Sequence, residues 1–116
     1  MEEISNKNKR IKKEINKFKK IFKNIDEDKK KILEKLIENV AFMSVTLEDL
    51  QQQIKEKGCI EKYKNGENQY GYKESTESKV YNSTIKNYNT CIRQLLDQLP
   101  KSEKPQEDDF NAFLKM

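Results

Sequence analysis

Residues 28–57 place the strongest constraint on the fold. They contain neither Gly nor Pro and carry apolar side chains at three- and four-residue spacing, which predicts one helix about 45 Å long. Asp26 is suited to cap its start and Gly58 to end it. Ala41 and Phe42 widen the apolar stripe beyond half of the circumference. We therefore expect this helix to pack on two sides, against another helix of its own chain and against a neighbouring subunit.

A second apolar stripe runs along residues 76–99 and stops at Pro100. Packed on residues 28–57, it predicts a long antiparallel helical hairpin and an all-α fold class. Only 34% of the chain is hydrophobic and 38% is charged, so the core of a monomer would be thin and we expect a homo-oligomer. The residues predicted to line the oligomer interface are Leu36, Val40, Met43, Leu47, Ile85, Tyr88, Ile92 and Leu95.

The first helix is expected over residues 5–25 and is strongly basic. Between Lys7 and Lys23 there are nine basic residues and one acidic residue, a net charge of +8. The whole chain carries +4, so the remainder sums to −4 and the positive charge is a local feature. The residues predicted to bind nucleic acid are Lys7, Lys9, Arg10, Lys12, Lys13, Lys17, Lys19, Lys20 and Lys23.

Three interpretations of this basic helix stay open. A Lys-rich helix can lie along DNA phosphates, and Arg10 is its one side chain able to form a bidentate contact with a base, so we expect phosphate contacts rather than sequence reading. A basic amphipathic helix with Phe18 and Phe22 also suits an anionic membrane surface. The third interpretation is a solvated helix face without a binding role.

The residue types present argue against catalysis. The chain has no His and two Cys, Cys59 and Cys91, which removes most zinc sites and His-dependent catalytic pairs and provides no disulfide framework. There is no phosphate-binding Gly loop, and the acidic triplets at residues 26–28 and 107–109 suit helix caps better than metal ligation. We expect no enzymatic activity, metal, cofactor or small-molecule substrate. Without an evident secretion signal or membrane span, we expect a cytoplasmic protein.

Residues 58–75 connect the two long helices. Asn65-Gly66 is a favourable turn, and residues 60–64 are expected either to pair with residues 67–71 in a short hairpin or to form an extra helical turn. The segment contains three tyrosines, which either seal the end of the helical hairpin or stack on a nucleobase or a partner protein. These are Tyr63, Tyr70 and Tyr72.

Residues 101–116 form an acidic tail. A polar linker leads to Glu107-Asp108-Asp109, and apolar side chains follow at helical spacing. Two interpretations are open: a loose chain end, or a peptide that docks in a groove on another protein. The predicted docking residues are Phe110, Phe113 and Leu114.

Residues 58–100 also carry an ordered set of features. They comprise the loop NGENQYG, a helix entry at Ser75-Thr76, the helical sequence KVYNSTIKNYNTCIRQLL and a Leu-x-x-Leu-Pro ending at Pro100. This order resembles the C-terminal half of the small terminase subunits of tailed bacteriophages, with Ser75-Thr76 in place of that family's Asn-Pro. The resemblance implies a homo-oligomer, with a ring as one form, that binds double-stranded viral DNA in the host cytoplasm. It also implies a partner, the large terminase subunit, which carries the ATPase and nuclease.

The sequence thus predicts three segments: a basic helical arm at 1–25, a helical hairpin and oligomerisation core at 26–100, and the acidic tail at 101–116. The leading hypothesis is a small terminase subunit that binds DNA and regulates the large subunit during genome packaging; it requires no membrane. One alternative is a non-enzymatic helical adaptor or structural oligomer that acts through protein contacts. The other is a peripheral membrane protein that binds through the basic helix.

Overall fold

The computed structural model describes residues 2–100, which form three helices and one antiparallel pair of strands. In chain order the elements are α1 (Glu2–Ile21), α2 (Glu27–Lys57), β1 (Ile60–Lys64), β2 (Tyr70–Glu74) and α3 (Thr76–Leu96). The predicted helical character is confirmed, although α1 and α3 end a few residues before the expected positions. The all-α class needs one correction, because residues 58–75 contain a β-hairpin.

The central element is α2, and both other helices run antiparallel to it. Arg10 in the first half of α1 contacts Asp49 in the second half of α2. Near the start of α3, the Tyr81 hydroxyl accepts a hydrogen bond of 3.0 Å from the Gln51 amide of α2. Two helices of the same chain therefore cover most of the wide apolar stripe of α2, although Phe42 remains 52% exposed. A neighbouring subunit was expected on one side of α2, and in the structure α1 packs on that side.

The core lies where the three helices meet beside the α1–α2 turn. Phe18, Phe22 and Ile25 are each at most 7% exposed. They belong to one buried cluster whose other members come from α2 and from α3 and the residues just after it: Leu33, Ile37, Val40, Ile92, Leu95 and Leu99. The basic segment is therefore a structural part of the bundle and not a separate arm. The predicted boundary between residues 25 and 26 divides a single core.

Four of the eight residues predicted to line an oligomer interface lie inside the single chain instead. Val40, Leu47, Ile92 and Leu95 are each at most 6% exposed, so they have almost no surface to offer to a second subunit. The other four, Leu36, Met43, Ile85 and Tyr88, are half-buried. The difference arises because α1 contributes apolar surface to the core, which the prediction of a separate basic arm leaves out.

Local signals set the ends of the helices. The N–H of Gly58 donates to the Ile54 carbonyl at 2.7 Å, and its φ of 81° is one that side chains rarely tolerate, which confirms the predicted stop of α2. Ser75 caps α3, because its hydroxyl accepts the Ser78 N–H at 3.1 Å. Asp26 occupies the N-cap position of α2, but its side chain forms no cap hydrogen bond.

The β-hairpin differs from the expected one in its register and in the exposure of its tyrosines. Its loop spans residues 65–69, longer than the two-residue turn expected at Asn65-Gly66. Tyr63 pairs with Gly71, and its ring lies so close that a Cβ on Gly71 would approach it to 2.8 Å. The three tyrosines of the segment are at least 40% exposed. The expectation that they seal the end of the helical hairpin is therefore wrong.

Candidate nucleic-acid interface

The two faces of α1 have opposite character. Phe18 is buried against α2 and α3, and Phe22 just beyond the helix is buried with it. Because a helix turns by 100° per residue, most of the lysines from Lys9 to Lys23 point to solvent. Six of them are exposed and form no ion pair with another described residue: Lys9, Lys12, Lys13, Lys19, Lys20 and Lys23. We call these six residues the lysine face.

Two predicted nucleic-acid ligands, Lys7 and Arg10, pair with carboxylates of α2 and stay partly exposed. Arg10 places one guanidinium nitrogen 2.8 Å from the Asp49 carboxylate and the other 2.8 Å from the Glu48 carboxylate. These two hydrogen bonds raise the pKa of Arg10, so the guanidinium stays charged and paired. Lys7 lies 3.9 Å from Asp49 and 5.2 Å from the ring centre of Phe42. The one residue expected to be able to contact a base in bidentate fashion is therefore engaged within the chain.

Lys17 is also exposed, but it makes an interaction of its own within the chain. We therefore leave it out of the lysine face. Of the nine predicted basic ligands, six lie on one solvent-facing surface, Lys7 and Arg10 pair with α2, and Lys17 makes an interaction within the chain. The basic segment therefore presents six lysines to solvent without an ion pair to a described residue, and not all nine basic residues.

Glu14, the one acidic residue among the nine basic ones, points into the bundle. The Ser44 hydroxyl of α2 donates a weak hydrogen bond of 3.5 Å to it. Burial raises the pKa of the neighbouring Tyr88 phenol on α3, and the negative charge of Glu14 raises it further. The three helices thus meet at Glu14, Ser44 and Tyr88, and the lysine face carries no carboxylate between Lys9 and Lys23.

A groove lies between the end of α1 and the start of α2. Its volume is about 350 Å³, and its floor is apolar, formed by Phe22, Leu33 and Ile37. Four lysines and two glutamates surround this floor: Lys19, Lys23, Lys30, Lys31, Glu27 and Glu34. One of these lysines, Lys30, is paired with Glu27 at 3.2 Å. We call this feature the basic groove.

The lysines that α2 contributes to this groove are absent from the predicted nucleic-acid ligands. Lys30 and Lys31 lie shortly after the acidic triplet at residues 26–28, which predicts a helix start. The available signal was the short connection between the two helices. A tight turn makes the last turn of one helix a neighbour of the first turn of the next, so their charges act on one surface.

The tail residues Phe110, Phe113 and Leu114 lie outside the described residues. Within residues 2–100, no three His, Cys, Asp or Glu side chains come together in a way that could hold a metal ion. Over the same range, every helix is too short or too polar to cross a membrane.

Comparisons with known proteins add no relative. No protein-family model matches the chain, and neither a curated protein nor a solved structure matches it. The resemblance of residues 58–100 to small terminase subunits therefore stays a prediction from the sequence.

Proposed function

We propose that this protein is a non-enzymatic DNA-binding protein that contacts the phosphates of duplex DNA through the lysine face of α1. The observation that carries the proposal is the set of six exposed lysines, five on α1 and Lys23 just beyond its end, without ion pairs to other described residues and without a carboxylate on the same face. Such a surface attracts a polyanion and releases counterions when it binds one.

The dimensions of α1 suit contacts along a DNA backbone. From Lys9 to Lys23 the lysine face extends over about 21 Å if the helical rise continues to its end. Duplex DNA carries one charge per 1.7 Å of its axis, roughly, so several phosphates lie within this length. Because Arg10 is paired with Glu48 and Asp49, the contacts fix position on the duplex and do not read base edges.

The salt dependence of duplex binding tests this proposal quantitatively. Each neutralised phosphate contributes about −0.9 to the slope of log K against log salt, so six lysines give a slope of roughly −5, whereas all nine basic residues would give about −8. Fluorescence anisotropy with a labelled duplex, titrated between low and moderate salt, measures the slope. Absence of binding at low salt would refute the proposal, and a slope near −8 would show that Lys7 and Arg10 leave their partners.

The buried face of α1 argues against the membrane alternative. A basic amphipathic helix binds an anionic bilayer by inserting its apolar face between the lipids. In this bundle that face includes Phe18 and Phe22, both only 2% exposed. Membrane binding in this mode would require α1 to leave the core, with loss of the burial that stabilises the bundle.

The resemblance of residues 58–100 to small terminase subunits supports a role for this DNA binding in genome packaging. We propose that the chain acts as a small terminase subunit in the host cytoplasm, with the large terminase subunit as its partner and a homo-oligomer as its working form. Since Val40, Leu47, Ile92 and Leu95 are buried within one chain, subunit contacts must use apolar side chains that remain exposed. The most exposed of these on the helices are Ile4, Ile32 and Phe42.

The native mass at moderate salt tests the proposed assembly. We expect a closed assembly of more than two copies, because heterologous contacts between different exposed patches generate a ring when the rotation closes. Light scattering coupled to size-exclusion chromatography measures the mass. Replacement of Ile32 and Phe42 by Ser should reduce it without unfolding the chain, since both side chains are more than half exposed. A monomer at micromolar concentration would contradict the assembly.

A second candidate function, a protein-binding adaptor, is favoured by the surface of the β-hairpin. Alternation along the paired strands places Ile60, Tyr70 and Tyr72 on one face, and each is more than half exposed. Lys62 lies 4.3 Å from the ring centre of Tyr70, which keeps the aromatic ring beside a positive charge. The salt titration separates the two functions, because an adaptor of this kind needs no affinity for duplex DNA.

A further inference from the structure

The basic groove combines two properties that a single kind of ligand would satisfy. Its floor is apolar, and lysines outnumber glutamates around it by four to two. One lysine is already paired, as Lys30 lies 3.2 Å from Glu27. Lys19, Lys23 and Lys31 form no ion pair with another described residue. A peptide with adjacent carboxylates and apolar side chains matches this pattern of charge and floor.

The chain leaves the described part of the structure close to this groove. Leu99 is buried in the same cluster as Phe22 and Ile25, and Pro100 lines a depression together with Asn24, Ile25 and Asp26. The end of the described chain therefore lies beside the α1–α2 turn. The basic groove is formed on either side of that same turn.

The residues that follow Pro100 have the required composition and reach. Glu107, Asp108 and Asp109 supply three consecutive carboxylates, and apolar side chains follow at Phe110, Phe113 and Leu114. The seven residues from 101 to 107 can extend over about 23 Å. That length is enough to pass around the first turn of α2, which is about 10–12 Å in diameter with its side chains.

We propose that the acidic tail of this chain docks in the basic groove of the same chain. Its carboxylates pair with Lys19, Lys23 and Lys31, and its phenylalanines extend the apolar floor. The tail is covalently linked close to its site, so its effective concentration is in the millimolar range, roughly, and weak contacts suffice to hold it. The basic groove is thus an intramolecular docking site for the acidic tail.

Docking of the tail also affects DNA binding by the lysine face, and this part of the inference rests on the proposed function. Lys19 and Lys23 belong both to the lysine face and to the groove. Tail carboxylates at these residues compete with phosphate, so the tail lowers DNA affinity until DNA or a partner displaces it. The docking itself is independent of DNA and can be measured without it.

Paramagnetic relaxation enhancement in the full-length chain tests the docking. A nitroxide attached to Lys115→Cys, in a chain that also carries Cys59→Ser and Cys91→Ala, labels the tail. We expect the amide signals of residues 19–23 and 30–34 to lose most of their intensity. The hairpin at residues 60–74 provides an internal control, because it lies at the far end of α2 and should keep its intensity. The same spectrum shows whether the labelled chain is folded.

Matched variants decide between docking and random collision. Phe110→Ala with Phe113→Ala, or Lys19→Glu with Lys23→Glu, should restore the lost intensities. Lys9→Glu with Lys13→Glu makes the same charge change away from the groove and should leave the quenching in place. If the quenching is absent, or if it persists equally in all variants, the proposal is wrong.

A mixing experiment detects docking between copies. It combines isotope-labelled chain without nitroxide and unlabelled chain with nitroxide, and quenching only in that mixture would overturn docking within one chain.

Discussion

Replacement of Lys12, Lys13, Lys19 and Lys20 by Glu is expected to weaken duplex binding by at least about a hundredfold at moderate salt, because it removes four of six phosphate contacts and puts carboxylates in their place. The four side chains are exposed, so the fold should be unaffected, and circular dichroism checks this. Anisotropy titration against the same duplex measures the affinity. This is the largest functional effect that the structure predicts for surface substitutions.

A control with the same charge change separates the lysine face from net charge. Lys55, Lys64, Lys79 and Lys86 are also exposed and form no ion pair with another described residue. Their replacement by Glu changes the net charge by the same amount but leaves α1 intact. We expect this variant to bind far more tightly than the α1 variant. Equal losses in the two variants would mean that binding depends only on total charge.

Phe18→Ala is expected to destabilise the protein by about 3–5 kcal/mol, the usual cost of truncating a buried Phe. The side chain is 2% exposed and belongs to the buried cluster shared by the three helices. A loss of this size is a large part of the stability of a small domain. Urea denaturation followed by circular dichroism should show one transition with a lower midpoint. A single transition is expected because α1 unfolds together with the core that it shares with α2 and α3.

Ile21→Ala is the matched control on the same helix. Ile21 is apolar and lies near Phe18, but it is 38% exposed, so its truncation should cost less than about 1 kcal/mol. If α1 were instead an independent arm, Phe18→Ala would leave the main transition unchanged and reduce only the helical signal before it. That result would contradict the three-helix core and would restore the predicted boundary between residues 25 and 26.

The parts of the fold that depend on neighbouring residues were predictable from the sequence. The stop of α2 at Gly58 and the start of α3 after Ser75 were placed correctly, because a positive φ and a hydroxyl cap act within one helical turn. The hairpin was one of two stated options for residues 58–75. Its register was missed, since the loop uses residues 65–69 and not the Asn65-Gly66 pair alone.

The candidate site was predictable in composition but not in arrangement. The sequence identified nine basic residues in one helix, but it could not show that Arg10 pairs with Asp49, 39 positions away. It likewise gave no sign that Lys30 and Lys31 join Lys19 and Lys23 at one groove. Contacts of this kind depend on which helix packs against which, and charge patterns along one helix do not contain that information.

Long amphipathic helices and a strongly basic first helix follow from the sequence alone, because apolar spacing and charge are properties of the chain. What covers the wide apolar stripe of α2 depends on the tertiary structure. An apolar stripe requires some partner to exclude water but does not specify which one. Here α1 takes that role through Phe18 and Phe22. The same packing pairs Arg10 with Glu48 and Asp49 of α2 and leaves the lysine face in solvent.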